Sequence, residues 1–396
     1  MKKILLASVA LTAFAGAAAA EVSFSGSATL GYNDTDATAA ITARSGTATD
    51  DNDGFYWSAT MSASLSQDLD NGIAVGAKVN FDIQDDNGNA TNGNTNLNAD
   101  DYVLSLTSEN ASIYFGDTGV AGSKYWAAAG DMESDGFTSD YTDAANADAV
   151  LRADINYGGV ELSASTIVVQ SDQTNSVQEQ TSASLRTTLG GVTITAATQE
   201  KANTTVLGAA AGDYNANAVW GVSAAMAVAG ADVTVAYAEE DTGANGTNSS
   251  TGIKVAYPVG DVTVTAYYVD ENPSAANLSG HNGDENYGIA VAYAAGDVAV
   301  TLDYQDDQSV TKTSLDVTYD MGNGLSLLAG MYDEDGNATA ADDGTDSYVA
   351  ASYSLGGGAS LLVAYANADT KGAIKADEVG TPDYQDGTTI ELSFAF

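Results

Sequence analysis

Cysteine is absent from the chain, histidine occurs once, and proline occurs three times in 396 residues. Without cysteine there is no disulfide, no zinc–thiolate site and no thiol nucleophile. The lone histidine, His281, sits in the polar stretch "NLSGHNGDEN". A hydrolytic triad around it would need a nearby nucleophile and an orienting acid, so a solvated loop histidine is the plain reading and an enzyme is disfavoured. Basic residues are scarce as well: 12 Lys and Arg stand against 54 Asp and Glu, a formal net charge of −42. A surface of that sign repels nucleic acid, which excludes that class of partner. Beyond the N-terminus no run approaches 18 apolar residues, so no transmembrane helix is expected. The segment "GVAGSK" lacks the G-x-x-x-x-G-K-[ST] order of a phosphate-binding loop, because Ser123 precedes Lys124.

The first twenty residues, "MKKILLASVALTAFAGAAAA", have a basic start at Lys2 and Lys3, an apolar run from Ile4 to Gly16, and Ala18-x-Ala20 at the end. This order predicts a secretory signal peptide over 1–20, with one domain over 21–396. Without Lys2 and Lys3 the balance is 10 basic against 54 acidic residues, or −44. An exported chain of this length without disulfides needs another source of stability, and a closed sheet is one.

What the chain has in abundance is period-two alternation. In "FYWSATMSASL", Phe55, Trp57, Ala59, Met61, Ala63 and Leu65 share one face, and Tyr56, Ser58, Thr60, Ser62 and Ser64 the other. A helix cannot hold that pattern on one side. Turn signals follow at Asp70-Asn71-Gly72, Asn110, Gly158-Gly159, Gly190-Gly191, Gly230, Gly260-Asp261, Gly296-Asp297, Gly322-Asn323 and Gly356-Gly357. Long polar segments lie between them. Tight turns alternating with long loops predict an all-β fold: a transmembrane antiparallel up-and-down β-barrel, with short periplasmic turns and long extracellular loops. Nine hairpin turns imply 20 strands. Tyr157, Tyr257, Tyr293, Tyr319 and Tyr353 precede short turns, while Tyr237, Tyr267, Tyr304, Tyr332 and Tyr365 lie about seven residues after one. Two aromatic girdles would produce these registers.

The last strand, "TTIELSFAF", puts Ile390, Leu392, Phe394 and Phe396 on one face and stops on Phe396. Together with "EVSFSGSATLGY", "SIYFGDTG" before a long loop, and "YSLGGGASLLVAYAN", it resembles the alphaproteobacterial type of general diffusion porin. The resemblance covers the whole mature chain. It implies a homotrimer in the outer membrane of a Gram-negative bacterium, in contact with lipid and lipopolysaccharide. It also implies a C-terminal strand, with Phe394 and Phe396, that is read by the outer-membrane assembly machinery. The family norm of 16 strands and the hairpin count of 20 bracket the expected number.

If the apolar faces meet lipid, the polar faces line a lumen. Lys78, Arg152, Arg186, Lys254 and Lys312 all fall on polar faces. Pointing a Lys or Arg at lipid at mid-depth would cost about 2–4 kcal/mol. The alternation stops at about 118–149, which carries the acids Asp131, Glu133, Asp135 and Asp140 and the aromatics Tyr125, Trp126, Phe137 and Tyr141. In the porins that the sequence resembles, the loop after the fifth strand folds into the barrel. That likeness implies a constriction, with the aromatics anchoring the loop and the acids facing the basic wall. The expectation is a water-filled channel for passive diffusion of small hydrophilic solutes and ions, mildly cation-preferring. The alternative is a barrel whose outer loops serve adhesion or envelope structure. No cofactor is expected. The acid clusters at Asp50–Asp53, Asp85–Asn87 and Asp333–Asn337 could collect Ca²⁺ or Mg²⁺ weakly, although none has EF-hand spacing.

Overall fold

In a computed structural model of the chain, the described residues are 21–34, 54–84, 98–137, 149–169, 177–201, 217–243, 246–273, 285–308, 310–336, 344–368, 378–379 and 384–396. The segment 1–20, the acid clusters at Asp50–Asp53 and Asp85–Asn87, and His281 lie outside them.

The strands follow one another along the chain as β1 (Glu21–Asn33), β2 (Gly54–Asp68), β3 (Ala74–Gln84), β4 (Asn98–Thr107) and β5 (Ala111–Gly116). One helical turn, α1 (Ala121–Lys124), comes next. Then come β6 (Ala149–Tyr157), β7 (Val160–Val169), β8 (Val177–Leu189), β9 (Val192–Gln199), β10 (Ala218–Val228) and β11 (Ala231–Asp241). The second half holds β12 (Thr247–Val259), β13 (Val262–Asn272), β14 (Glu285–Ala295), β15 (Val298–Asp307), β16 (Val310–Gly322), β17 (Leu325–Gly336), β18 (Gly344–Gly356) and β19 (Ala359–Asn367). A two-residue ladder of β20 (Glu378–Val379) with β21 (Tyr384–Gln385) precedes the last strand, β22 (Gly387–Ala395).

Each long strand pairs antiparallel with its neighbours in sequence, and β1 pairs with β22 as well as with β2. Twenty strands therefore close on themselves, the number that the hairpin turns predict rather than the sixteen of the family norm. Closure removes every free edge, which a strand in lipid requires because no water is there to satisfy its backbone. The seam is tied at both ends. Asn33, fully buried, donates to Thr389 Oγ1 at 2.9 Å and to the Asp386 carbonyl at 3.0 Å. The backbone N–H and C=O of Phe396 pair with Gly26, both at 2.9 Å.

The alternation sorts the two faces. Phe24, Leu30, Trp57, Leu104, Leu151, Ile253 and Ile289 are among the large side chains left exposed on the outside. Such a continuous apolar belt is intolerable in water and suits a bilayer. Tyr157, Tyr257, Tyr293, Tyr319 and Tyr353 are exposed just before short turns, as one girdle requires. The other girdle differs from its expected membership. Tyr267 pairs with Lys254 and Gly288 and faces the lumen, and Tyr332, paired with Ser314 and Asp346, does too. A spacing of "about seven" leaves a one-residue ambiguity, and one residue flips the face. Tyr268 and Tyr287, both exposed, are outward at that end instead.

Candidate functional site

The break in alternation after β5 begins at Gly116, whose φ is +120°. A Cβ there would lie 2.0 Å from the Tyr102 carbonyl oxygen, so only glycine lets the chain turn there. Asp117 clamps the turn: its N–H donates to the Tyr102 carbonyl at 2.8 Å, and its carboxylate accepts from the Tyr102 N–H at 2.7 Å.

From that turn residues 118–137 run along the inner wall. Val120 is buried against Val150 of β6 and Ile167 of β7. The first N–H groups of α1 have no partner within the helix. Ala121 donates to Ser165 Oγ on β7 at 2.8 Å and Gly122 to Ser182 Oγ on β8 at 2.9 Å, the two hydroxyls being bonded to each other at 2.8 Å. Further on, the Trp126 ring lies over Gly221 of β10. Ala129 and Met132 are buried against Ala236, Ala238 and Val269. The Ala129 carbonyl approaches Gly252 of β12 so closely that a Cβ would be 2.2 Å from it. Then the chain is pinned on the far side. The Glu133 N–H donates to the Glu271 carboxylate on β13 at 3.0 Å, and Ser134 N–H to Ser250 Oγ at 2.8 Å. Ser250 Oγ in turn donates to Glu271 at 2.5 Å. Asn286 of β14 donates to the Asp131 carbonyl at 2.9 Å, and Gln305 of β15 to the Asp131 carboxylate.

The sequence-predicted residues thus divide between two regions. Near the root of the loop stand Arg152 and Arg186. The Arg152 guanidinium donates to the Gly119 carbonyl at 2.5 Å, lies 3.3 Å from Asp154 and sits 4.9 Å from the Tyr114 ring centre. Arg186 grips Glu161 with two nitrogens, at 2.5 and 2.9 Å, and lies 4.8 Å from the Tyr125 ring centre. Lys124 joins them through Asp154 at 2.5 Å. Tyr125 thereby lies against two cations, Lys124 and Arg186. At the far reach of the loop are Asp131, Glu133 and Asp135. Asp135 accepts from the Trp126 indole N–H at 2.9 Å, and Trp126 packs on Phe137 with ring centres 5.3 Å apart.

Lys312 stands among these acids rather than opposite them, donating to Asp307 at 2.8 Å. Asp307, Asp131 and Glu133 bring carboxylate oxygens within 4.8 Å of one another. Among the described residues this is the carboxylate group best placed to meet a cation, and Lys312 and Gln305 already donate into it. Burial pushes the Asp131 carboxyl above its usual range, helped by repulsion from Asp307 and opposed by Lys312 and Gln305. Burial also raises Asp135, against the bond from Trp126. Lys78 and Lys254 are exposed, with no ion-pair partner among the described residues. Asp140 and Tyr141 lie outside the described residues. Phe394 and Phe396 are exposed on the outside at the end of β22.

Sequence reading did not find the wall groups that hold the loop. Ser165, Ser182, Ser250, Glu271, Asn286 and Gln305 look like any other lumen-side polar residues. The only local signal is that they are polar at alternate positions, which many unused positions share.

Among solved structures, one triple mutant of Rh. blastica porin aligns at 19% identity and a TM-score of 0.47, over 75% of this chain and 98% of that chain. A second mutant of the same porin aligns at 17% identity and 0.48, with the same coverage. No curated relative matches the sequence. The family model for Gram-negative porins matches residues 7–373, nearly the whole chain. With a closed barrel, an apolar outer belt and a polar interior already described, that match makes the chain a member of the Gram-negative porin family, a channel protein of the outer membrane.

Proposed function

We propose that this porin is a diffusion channel for small hydrophilic solutes and ions, mildly selective for cations, with residues 118–137 as its constriction. The observation that carries this reading is the position of the loop. It lies on the lumen side and holds Asp131 and Glu133 beside Asp307. Arg152, Arg186 and Lys124 are each paired with Asp154 or Glu161, whereas the group at the far reach has three carboxylates for one lysine. The root thus holds three cations for two carboxylates, and the negative excess lies at the far reach of the loop, where clustered negative charge favours cations. The net charge of −42 acts in the same direction.

Segment 1–20 is a signal peptide in this reading, and the working unit is a homotrimer. Lipopolysaccharide meets the outer belt, and the strand ending in Phe394 and Phe396 is the assembly signal. The acid-rich outer segments bind Ca²⁺ or Mg²⁺ weakly at most. Planar-bilayer recording tests the core of the proposal. Stepwise conductance with a cation-selective reversal potential across a KCl gradient is expected, and an anion-selective potential would overturn the selectivity. Swelling of liposomes in small sugars separates a channel from a purely adhesive barrel, which would give none.

A further inference from the structure

A water-filled lumen should be polar, so apolar residues on its wall mark places where something covers them. One such patch, Ala236, Ala238 and Val269, lies beneath the loop already described. A second patch lies elsewhere, on β17, β18 and β19, where Ala350, Ala364 and Ala366 are buried beside Leu328 and Leu362. Its cover is Tyr384 and the β20–β21 ladder, which lie between β19 and β22 along the chain. Tyr384 of β21 is only 4% exposed and stacks on Tyr348 with ring centres 4.5 Å apart and planes 25° from parallel. Tyr348 belongs to the lumen face: it pairs with Gly330, and its hydroxyl donates to Asp316 of β16 at 2.5 Å. The β20–β21 ladder packs against β18 and β19. The Ala368 N–H donates to Asp386 at 3.0 Å, and the Asp386 carbonyl accepts from Asn33, which ties the chain flanking the ladder to the closing seam.

We propose that the β20–β21 ladder is a second lumen insert, and that Tyr384 is a permeability-determining residue of this channel. The proposal rests on the channel reading above. A second layer of sheet on a wall takes about 10 Å of the space in front of it. Twenty strands, about 4.8 Å apart and tilted about 40°, make a cylinder about 40 Å across, against about 32 Å for sixteen. The wider barrel has room for a second insert, and a single loop along its wall leaves more of the lumen open. Among the described residues, the loop rests on strands from β6 to β15 and the second insert on β18 and β19. The wall of β22 and β1–β3 carries Ser27, Thr29, Thr60, Ser62 and Ser393, hydroxyl groups bonded to one another or to Asn80, with Lys78 beside them.

Two measurements on the full-length porin test this. Tyr384→Ser should raise single-channel conductance roughly 1.3- to 2-fold, because the insert lifts from the wall and returns part of the lumen to water. Unchanged conductance would overturn the proposal. The second measurement does not depend on conduction. Ala366, 1% exposed under the insert, is replaced in Ala366→Cys, which gives the chain its only thiol. A small water-soluble maleimide should label it slowly, and at least tenfold faster when Tyr384→Ser is added. Equal labelling rates in the two backgrounds would show that Tyr384 covers nothing. If the wild-type protein gave no conductance steps while the labelling difference held, the channel reading would fail and the insert would stand.

Discussion

At the scale of single residues, the site is governed by what each carboxylate has for company. Asp154 and Glu161 are saturated by Lys124, Arg152 and Arg186 and contribute little field of their own. Asp131 and Asp135 are raised by burial, and raised carboxyls take up protons at a pH where exposed ones are still charged. As pH falls, their charge is therefore lost first. Cation preference should decline on acidification beginning above the ordinary carboxylate range, and Asp131→Asn with Asp135→Asn should remove that early part of the titration. Reversal potentials recorded from pH 8 to pH 4 check this. Glu271 accepts from both Ser250 and the Glu133 N–H. Glu271→Ala leaves those donors without their acceptor in a buried place, a cost of about 1–3 kcal/mol. The expected result is a noisier open channel and a lower melting temperature, read by bilayer recording and by thermal unfolding in detergent. The bidentate Arg186–Glu161 pair is largely exposed, so breaking it should change stability by about 1 kcal/mol or less.

At the scale of elements, the loop and the wall are matched surfaces. Residues 118–137 have no strand or long helix of their own, and their backbone groups are satisfied by wall side chains instead. The glycine at 252 is part of that match. Gly252→Val would improve the intrinsic strand preference of β12 while driving a side chain into the Ala129 carbonyl. The barrel should keep its melting temperature within about 1 kcal/mol of equivalent stability, and conductance should change as the loop moves off. A variant with both properties unaltered would mean that the loop does not rest on β12. How far the elements were legible follows from period. All nine short turns are readable because a two-residue alternation persists along the strands on either side of them, from 6 residues in β5 to 15 in β2. The tyrosines at 267 and 332 were not assignable to a face, because their distance from a turn does not settle odd from even. Loop docking was readable only in its composition: Trp126 and Phe137 are too apolar for a solvated segment, but nothing in their spacing names Gly221 as the place where Trp126 rests.

At the scale of the whole molecule, a charge of −42 and a barrel about 40 Å across act together. The Debye length is about 30 Å in 0.01 M salt and about 3 Å in 1 M. In dilute salt the wall field fills the pore, and in concentrated salt only ions near the loop feel it. Cation preference should therefore be pronounced at 0.01 M KCl and fall steeply towards 1 M, and a selectivity independent of salt would place its origin in steric fit rather than charge. The amino-acid sequence determined by itself that this chain is a barrel in a membrane. Alternation puts apolar groups on one face of every strand, and only closure with lipid outside satisfies both those faces and the strand edges. It also spelled nine hairpin turns, each in two or three residues, which put the strand number between sixteen and twenty; the closed sheet decided for twenty. Only the tertiary structure decided which residues work together. Asp131 and Asp307 are 176 positions apart along the chain, and Tyr348 and Tyr384 meet across the lumen side of β18. Such pairings depend on where residues between the strands come to rest. That depends on the shape and hydrogen-bonding groups of the assembled wall, which exist only once the strands are in register.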